Sequence, residues 1–354
     1  MRKSTMIPLV IAVLILVPFA YRVAQAQLDL EFLHERATIW FRPIPQEPPG
    51  IPGKRLTPEK IELGRTLFFD RRLSANHEMS CNDCHTLALG GAGQRVELGH
   101  LGQPGPRTVP TLLNAVFNTA HFWDGRAEDL AEPEMGPIET ALKKRSTPEH
   151  VVATLSSMPD YRALFQDAFP EEEDPLTFDT VILALETFLA TLITPDSRFD
   201  QYLRGDRDAL DQVELEGLDS FITAGCVNCH HGRNLGGRSY HPFGVTEAPP
   251  LPLRPAEDIG RAVVTDLTAH NYFFKSPTLR NIELTPPYFH SGIVWSLRGA
   301  TAVMGSVQMR DPLGAADADR ITEFLRTLTG DLPDPTPPLL PASTDATPEP
   351  TEMP

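Results

Sequence analysis

The chain has 354 residues, 31 Lys and Arg against 47 Asp and Glu, a formal charge of −16, and four cysteines. That length points to two domains, and an apolar content of 41% with 22% charged residues excludes wholesale disorder. The acidic balance argues against a nucleic-acid partner, and four cysteines are too few for a disulfide scaffold.

In chain order, residues 1–27 read as an export signal. Arg2 and Lys3 precede an apolar stretch at 7–20, and Ala24-Gln25-Ala26 supplies small residues before a cleavage point. The stretch carries Pro8 and Pro18 and is short for a spanning helix, so cleavage is preferred to membrane anchoring by residues 7–20. The body is exported either way. The signal holds Arg2, Lys3, Arg22 and no acid, which leaves 28 basic against 47 acidic residues, or −19. Residues 28–54 form a Pro-rich N-terminal segment, with 42–53 expected to be a tether. A helix is predicted over 58–70, with proline in its first turn and Ile61, Leu63, Leu67 and Phe68 at helical spacing. Further helices are predicted over 178–193, 210–224, 297–309 and 317–328, with Gly330 as a stop. No convincing run of alternating strands appears. The last 24 residues, 331–354, contain eight prolines, no aromatic residue and no Lys or Arg, and are expected to be a disordered tail.

All four cysteines lie in two copies of one pattern, Cys81-Asn82-Asp83-Cys84-His85 and Cys226-Val227-Asn228-Cys229-His230. This is the C-x-x-C-H signature of covalent haem c attachment. Two thiols one helical turn apart add across the haem vinyl groups, and the adjacent His becomes the proximal iron ligand. A zinc site would not require a His after each pair, and a dithiol redox motif would not occur twice without a thioredoxin-like pattern.

The chain is also a diverged tandem. Pro110-Thr111-Leu112-Leu113-Asn114 and Phe122-Trp123-Asp124-Gly125 recur as Pro277-Thr278-Leu279-Arg280-Asn281 and Phe289-His290-Ser291-Gly292. The expected fold is therefore mainly α, with two c-type cytochrome domains at 55–195 and 196–330 and one covalently bound haem in each. Their junction is placed near Thr194-Pro195-Asp196. The repeats differ where a sixth iron ligand would come from. Met304 lies on the helix predicted over 297–309, and its counterpart in the first repeat is Pro137. The first repeat instead has a 17-residue loop, 90–106, with six glycines and His100 inside it. A His on such a loop closes an iron in one state and leaves it in another. His290 aligns with Trp123 and is expected to line the second haem pocket, while Arg107, Arg126 and Arg280 are candidates for pairing with haem propionates.

At this point the sequence resembles the bacterial dihaem cytochrome c peroxidases over residues 55–330. The matching motifs are Leu67-Phe68-Phe69-Asp70, both haem sites, Gly99-His100, Pro106-Arg107, residues 122–127, 277–281 and 287–292. The resemblance implies a periplasmic enzyme that reduces hydrogen peroxide to water. A small soluble donor, a cytochrome c or a copper protein, would supply the electrons. It implies a peroxidatic N-terminal haem with His85 proximal and His100 removable. The C-terminal haem would take electrons in, ligated by His230 and Met304, with Trp123 as relay between the two. In the related MauG-like oxidases of protein substrates a Tyr holds the Met304 position, so Met304 favours the peroxidase branch. The alternatives are such an oxidase or a dihaem electron carrier without enzymatic activity. The resemblance also brings calcium between the domains, with Thr285 and Pro287 at two ligand positions and Thr108 where the family has Asn, and a homodimer. Family members use a Glu as acid and base, with a nearby Gln. An ungapped match puts Lys143 and Pro133 at those positions, which leaves Glu134, Glu132 or Glu139 to substitute.

Overall fold

The computed structural model describes residues 30–93, 107–127 and 146–350. Helix α1 (30–40) precedes α2 (Pro58–Phe69), α3 (Pro148–Ser156), α4 (Pro159–Ala168), α5 (Phe178–Thr191), α6 (Arg198–Leu203), α7 (Gln212–Thr223), α8 (Leu297–Val307) and α9 (Ala315–Arg326). Four of the five predicted helices are shorter at one or both ends by one to three residues, and the fifth, 317–328, begins two residues earlier and ends two residues earlier. Caps set several of these starts. Thr57 accepts a hydrogen bond from the Lys60 N–H ahead of Pro58 in α2, and Asp211 and Glu214 cap each other across the start of α7. Among the described residues one pair of three-residue strands occurs, β1 (Tyr240–Pro242) and β2 (Phe273–Lys275), antiparallel with Tyr240 opposite Lys275.

Two helical cores form. The first gathers Leu63, Leu67 and Phe68 of α2 against Phe165 of α4 and Leu185 and Phe188 of α5. The second gathers Phe199, Leu218, Phe221, Ile321 and Phe324 around α6, α7 and α9. They repeat one device. Gly64 of α2 lies against the Ala184 carbonyl of α5, and Gly217 of α7 lies against the Arg320 carbonyl of α9. Each crossing is flanked by a ring pair, Phe68–Phe188 at 5.3 Å and Phe221–Phe324 at 5.4 Å, both at 58°. Sequence carries this repeat as Gly-x-x-x-Phe (64–68, 217–221) and Phe-Leu-x-Thr-Leu (188–192, 324–328).

The repeated Asn residues join the cores. Asn114 and Asn281 both hold left-handed backbone, φ 60° and 58°, which Asn tolerates better than most residues. Both are buried, and both donate a side-chain N–H to the same hydroxyl, Thr194 Oγ1, at 2.7 and 2.9 Å. Their side-chain carbonyls accept from the N–H groups of Thr194 and Gly330. Phe122 and Phe289 then share positive φ, 63° and 67°, as do Gly125 and Gly292.

Two expectations are corrected. The stretch expected to be a tether is docked on the protein, because Ile44 and Ile51 are apolar enough to bury and the Ile44 N–H donates to Asp200 of α6. The tail expected to be disordered is ordered over 331–350. Its Thr336 carbonyl accepts from Arg65, its Ser343 hydroxyl accepts from Arg72, Thr344 donates to the Ser157 carbonyl, and Leu340 packs on the first core. Proline lowers the entropy that an extended strap loses on docking, an effect that composition alone does not separate from disorder.

Gly217→Ala is expected to destabilise the chain by about 1–3 kcal/mol, because the added Cβ forces α7 off the α9 backbone. Gly50→Ala, where nothing lies within 4 Å, is the control. Chemical denaturation of both variants checks the difference.

Candidate functional site

The two C-x-x-C-H segments are built differently and orient their histidines in the same way. Cys81–Cys84 is one helical turn, closed by Asp83 accepting from the Ser80 N–H at 2.8 Å and held by Arg71 at 2.6 Å. Cys226–Asn228 is a tighter turn entered through Gly225 at φ 89°. His85 Nδ1 lies 3.1 Å from the Pro110 carbonyl, and His230 Nδ1 lies 3.1 Å from the Leu235 carbonyl. A carbonyl on Nδ1 fixes the proton there and leaves the Nε2 lone pair for a metal. Burial drives the His230 pKa down to about 4, so its ring is neutral at physiological pH.

A cavity of about 240 Å³ joins the residues that the sequence singled out in the second repeat. Cys226, Cys229, His230 and Met304 all line it, with Leu279, Ile282 and Leu297 among its apolar walls. Met304 sits on α8, started by Ser296 accepting from the Gly299 N–H. The first repeat also contributes to this cavity. Trp123 lines it, its indole N–H donating to the Thr108 carbonyl at 3.0 Å. The strip 108–111 is a shared wall, since Thr108 holds Trp123, Pro110 holds His85, and both face the cavity. His290 lines it as expected, stacked on Phe274 at 4.2 Å and edge-on to Trp123 at 6.2 Å, with burial driving its pKa down to about 4. Thr285 and Pro287 lie on the same wall.

The three arginines that the sequence put forward for propionates each pair with a carboxylate of the protein. Arg107 clamps Asp258 through Nε (2.8 Å) and one terminal nitrogen (2.6 Å), and reaches Asp124 with the other (2.7 Å). Arg126 also meets Asp124, and Arg280 meets Asp200 at 2.7 Å with both side chains fully buried. A buried guanidinium needs a carboxylate inside the protein, and residues far apart in sequence supply them here. Burial by itself would raise the Asp258 carboxyl, but the Arg107 guanidinium outweighs it and holds the carboxyl below its usual range. Sequence reasoning met Asp124 only as part of a repeated block and did not name Asp258. It also passed over Lys275, a buried cation on the cavity wall whose signal was a charge closing the apolar run Phe273-Phe274. His100, Glu134, Glu132, Glu139, Pro133 and Lys143 lie outside the described residues.

A family model described as di-haem cytochrome c peroxidase matches residues 58–208. The chain is 46% identical over 353 residues to the cytochrome c551 peroxidase of Pseudomonas aeruginosa, covering 99% of this chain and 100% of that one. The chain belongs to the dihaem cytochrome c peroxidase family. It is an oxidoreductase of the cytochrome c peroxidase type, and membership implies haem cofactors. Identity to the methylamine utilization protein MauG of Methylorubrum extorquens is lower, 36% over 278 residues, covering 77% of this chain and 74% of that one. The solved structure of a MauG-like protein associated with microbial copper homeostasis aligns with a TM-score of 0.68 at 26% identity, covering 81% of this chain and 95% of that one. The residues present fit the cofactor. A neutral His with its Nδ1 satisfied, two thiols, and a thioether share one apolar cavity.

Asp258→Asn leaves the Arg107 charge short of a partner in a buried setting, and a loss of about 3 kcal/mol is expected in chemical denaturation. Because the folded Asp258 pKa is depressed, its contribution is complete above about pH 4 and is lost as pH falls through the folded value. The variant should therefore show a shallower acid dependence than the parent chain.

Proposed function

We propose that the chain is a periplasmic dihaem peroxidase that reduces hydrogen peroxide to water with electrons from a small soluble donor. The observation that carries this reading is the cavity in which Cys226, Cys229, His230 and Met304 meet Trp123 of the other repeat. Cys81, Cys84 and His85 would hold one haem c in the N-terminal cytochrome domain. Cys226, Cys229, His230 and Met304 would hold the other in the C-terminal one. Bound there, the two groups supply one-electron redox chemistry and reductive cleavage of an O–O bond.

The chain's residues divide the remaining work. His230 and Met304 form a His/Met pair, which favours a high potential, so the donor would deliver electrons on that side. His100, on the glycine-rich loop, is the proposed removable ligand on the side of His85. Trp123, anchored by Thr108 and touching His290, is positioned to couple the two sides. Glu134 is the proposed acid and base, taking a proton from the bound peroxide and returning it to the departing oxygen. The charge of −19 after signal removal favours a donor with a basic patch, captured faster at low salt. Met304, in place of the Tyr of MauG-like oxidases, and the higher identity to a named peroxidase support this branch.

The deciding experiment follows peroxide-dependent oxidation of a reduced small donor before and after half-reduction of the protein. Turnover that needs half-reduction is expected, and a protein that consumes no peroxide in either state would sink the reading. Met304→Ala is expected to lower the high-potential couple in a spectroelectrochemical titration. Glu134→Gln is expected to lower turnover by about 10²–10⁴-fold, measured by steady-state kinetics with haem content unchanged.

A further inference from the structure

Lys275 is 8% exposed, yet among the described residues no carboxylate pairs with it. Its position is fixed from two directions. The strand pairs it with Tyr240, and its backbone N–H donates to the Trp123 carbonyl at 2.8 Å. It lines the cavity that holds His230 and Met304, and no other Lys or Arg among the described residues does so. Asp124 is engaged by Arg107 and Arg126, and Asp258 by Arg107.

An isolated ammonium in such a place costs several kcal/mol unless an anion joins it. Burial accordingly pulls the Lys275 pKa down to about 8. The described residues offer no anion for it, but the cofactor assigned to this cavity carries two carboxylates. The three arginines that sequence put forward for those carboxylates have partners of their own.

We propose that Lys275 is the cation that pairs with a haem propionate in the C-terminal cavity and, through that pair, holds the potential of this haem up. The proposal rests on reading the cavity as a haem site. A carboxylate left unpaired beside the iron would stabilise its oxidised form, and the ammonium offsets that charge. Lys275 is thus a positioning residue, acting through the cofactor.

The test uses the full-length holoprotein and the variants Lys275→Gln and Lys275→Arg. Haem stoichiometry is measured first, and two haems per chain are expected in all three proteins. Spectroelectrochemical titration should then show the high-potential couple shifted downward in Lys275→Gln and restored in Lys275→Arg. Redox-difference infrared spectra should show a propionate carboxylate band that moves only in Lys275→Gln. Two haems with an unmoved couple and an unmoved band in Lys275→Gln would overturn the pairing while leaving the haem site intact. A parent chain carrying fewer than two haems would overturn the reading of the cavity and the pairing with it.

Discussion

One hydroxyl group holds the two repeats in register. Thr194 Oγ1 accepts from Asn114 and Asn281, so each repeat places its own left-handed asparagine on a single buried atom. A hydroxyl oxygen has two lone pairs and so can serve two donors. The surrounding backbone bonds are parallel as well, with Asn114 N–H on the Leu192 carbonyl and Asn281 N–H on the Leu328 carbonyl. Gly330 reaches this junction because it has no side chain, since a Cβ there would meet the Thr194 and Pro195 carbonyls. Beyond it the two loops bring Trp123 and His290 edge to face.

That junction makes the cavity a product of both halves. The C-terminal half supplies the thiols, His230 and Met304. The N-terminal half supplies Trp123 and the wall 108–111. The same wall holds His85 on its other side through Pro110. A change of backbone in these four residues would therefore be felt at His85 and in the cavity that His230 lines.

Charge follows the same logic. Arg107, from the first half, is neutralised by Asp258 of the second, 151 positions away, and by Asp124 of its own half. Among the described residues the cavity wall carries one lysine and no arginine, and no carboxylate pairs with that lysine. The distribution of partners, more than the count of charges, decides which side chain can meet an anionic cofactor.

The sequence by itself determined the chemistry that is local in the chain. The thiol spacing, the His beside each pair, the repeated Pro-Thr-Leu-x-Asn block and the helix periodicities are short-range patterns, and they carried the family and the candidate ligands. The Gly-x-x-x-Phe and Phe-Leu-x-Thr-Leu repeats were equally legible but are apolar, and they acquire meaning only when α2 is seen against α5 and α7 against α9. What only the tertiary structure decided was pairing at a distance: Thr194 between two asparagines, Arg107 between two aspartates, Lys275 without a carboxylate among the described residues, and the Pro-rich tail laid on the first core. Hydrogen bonds and ion pairs between residues 17 to 271 positions apart leave no periodicity in the sequence, because burial and geometry select the partners after the chain has folded.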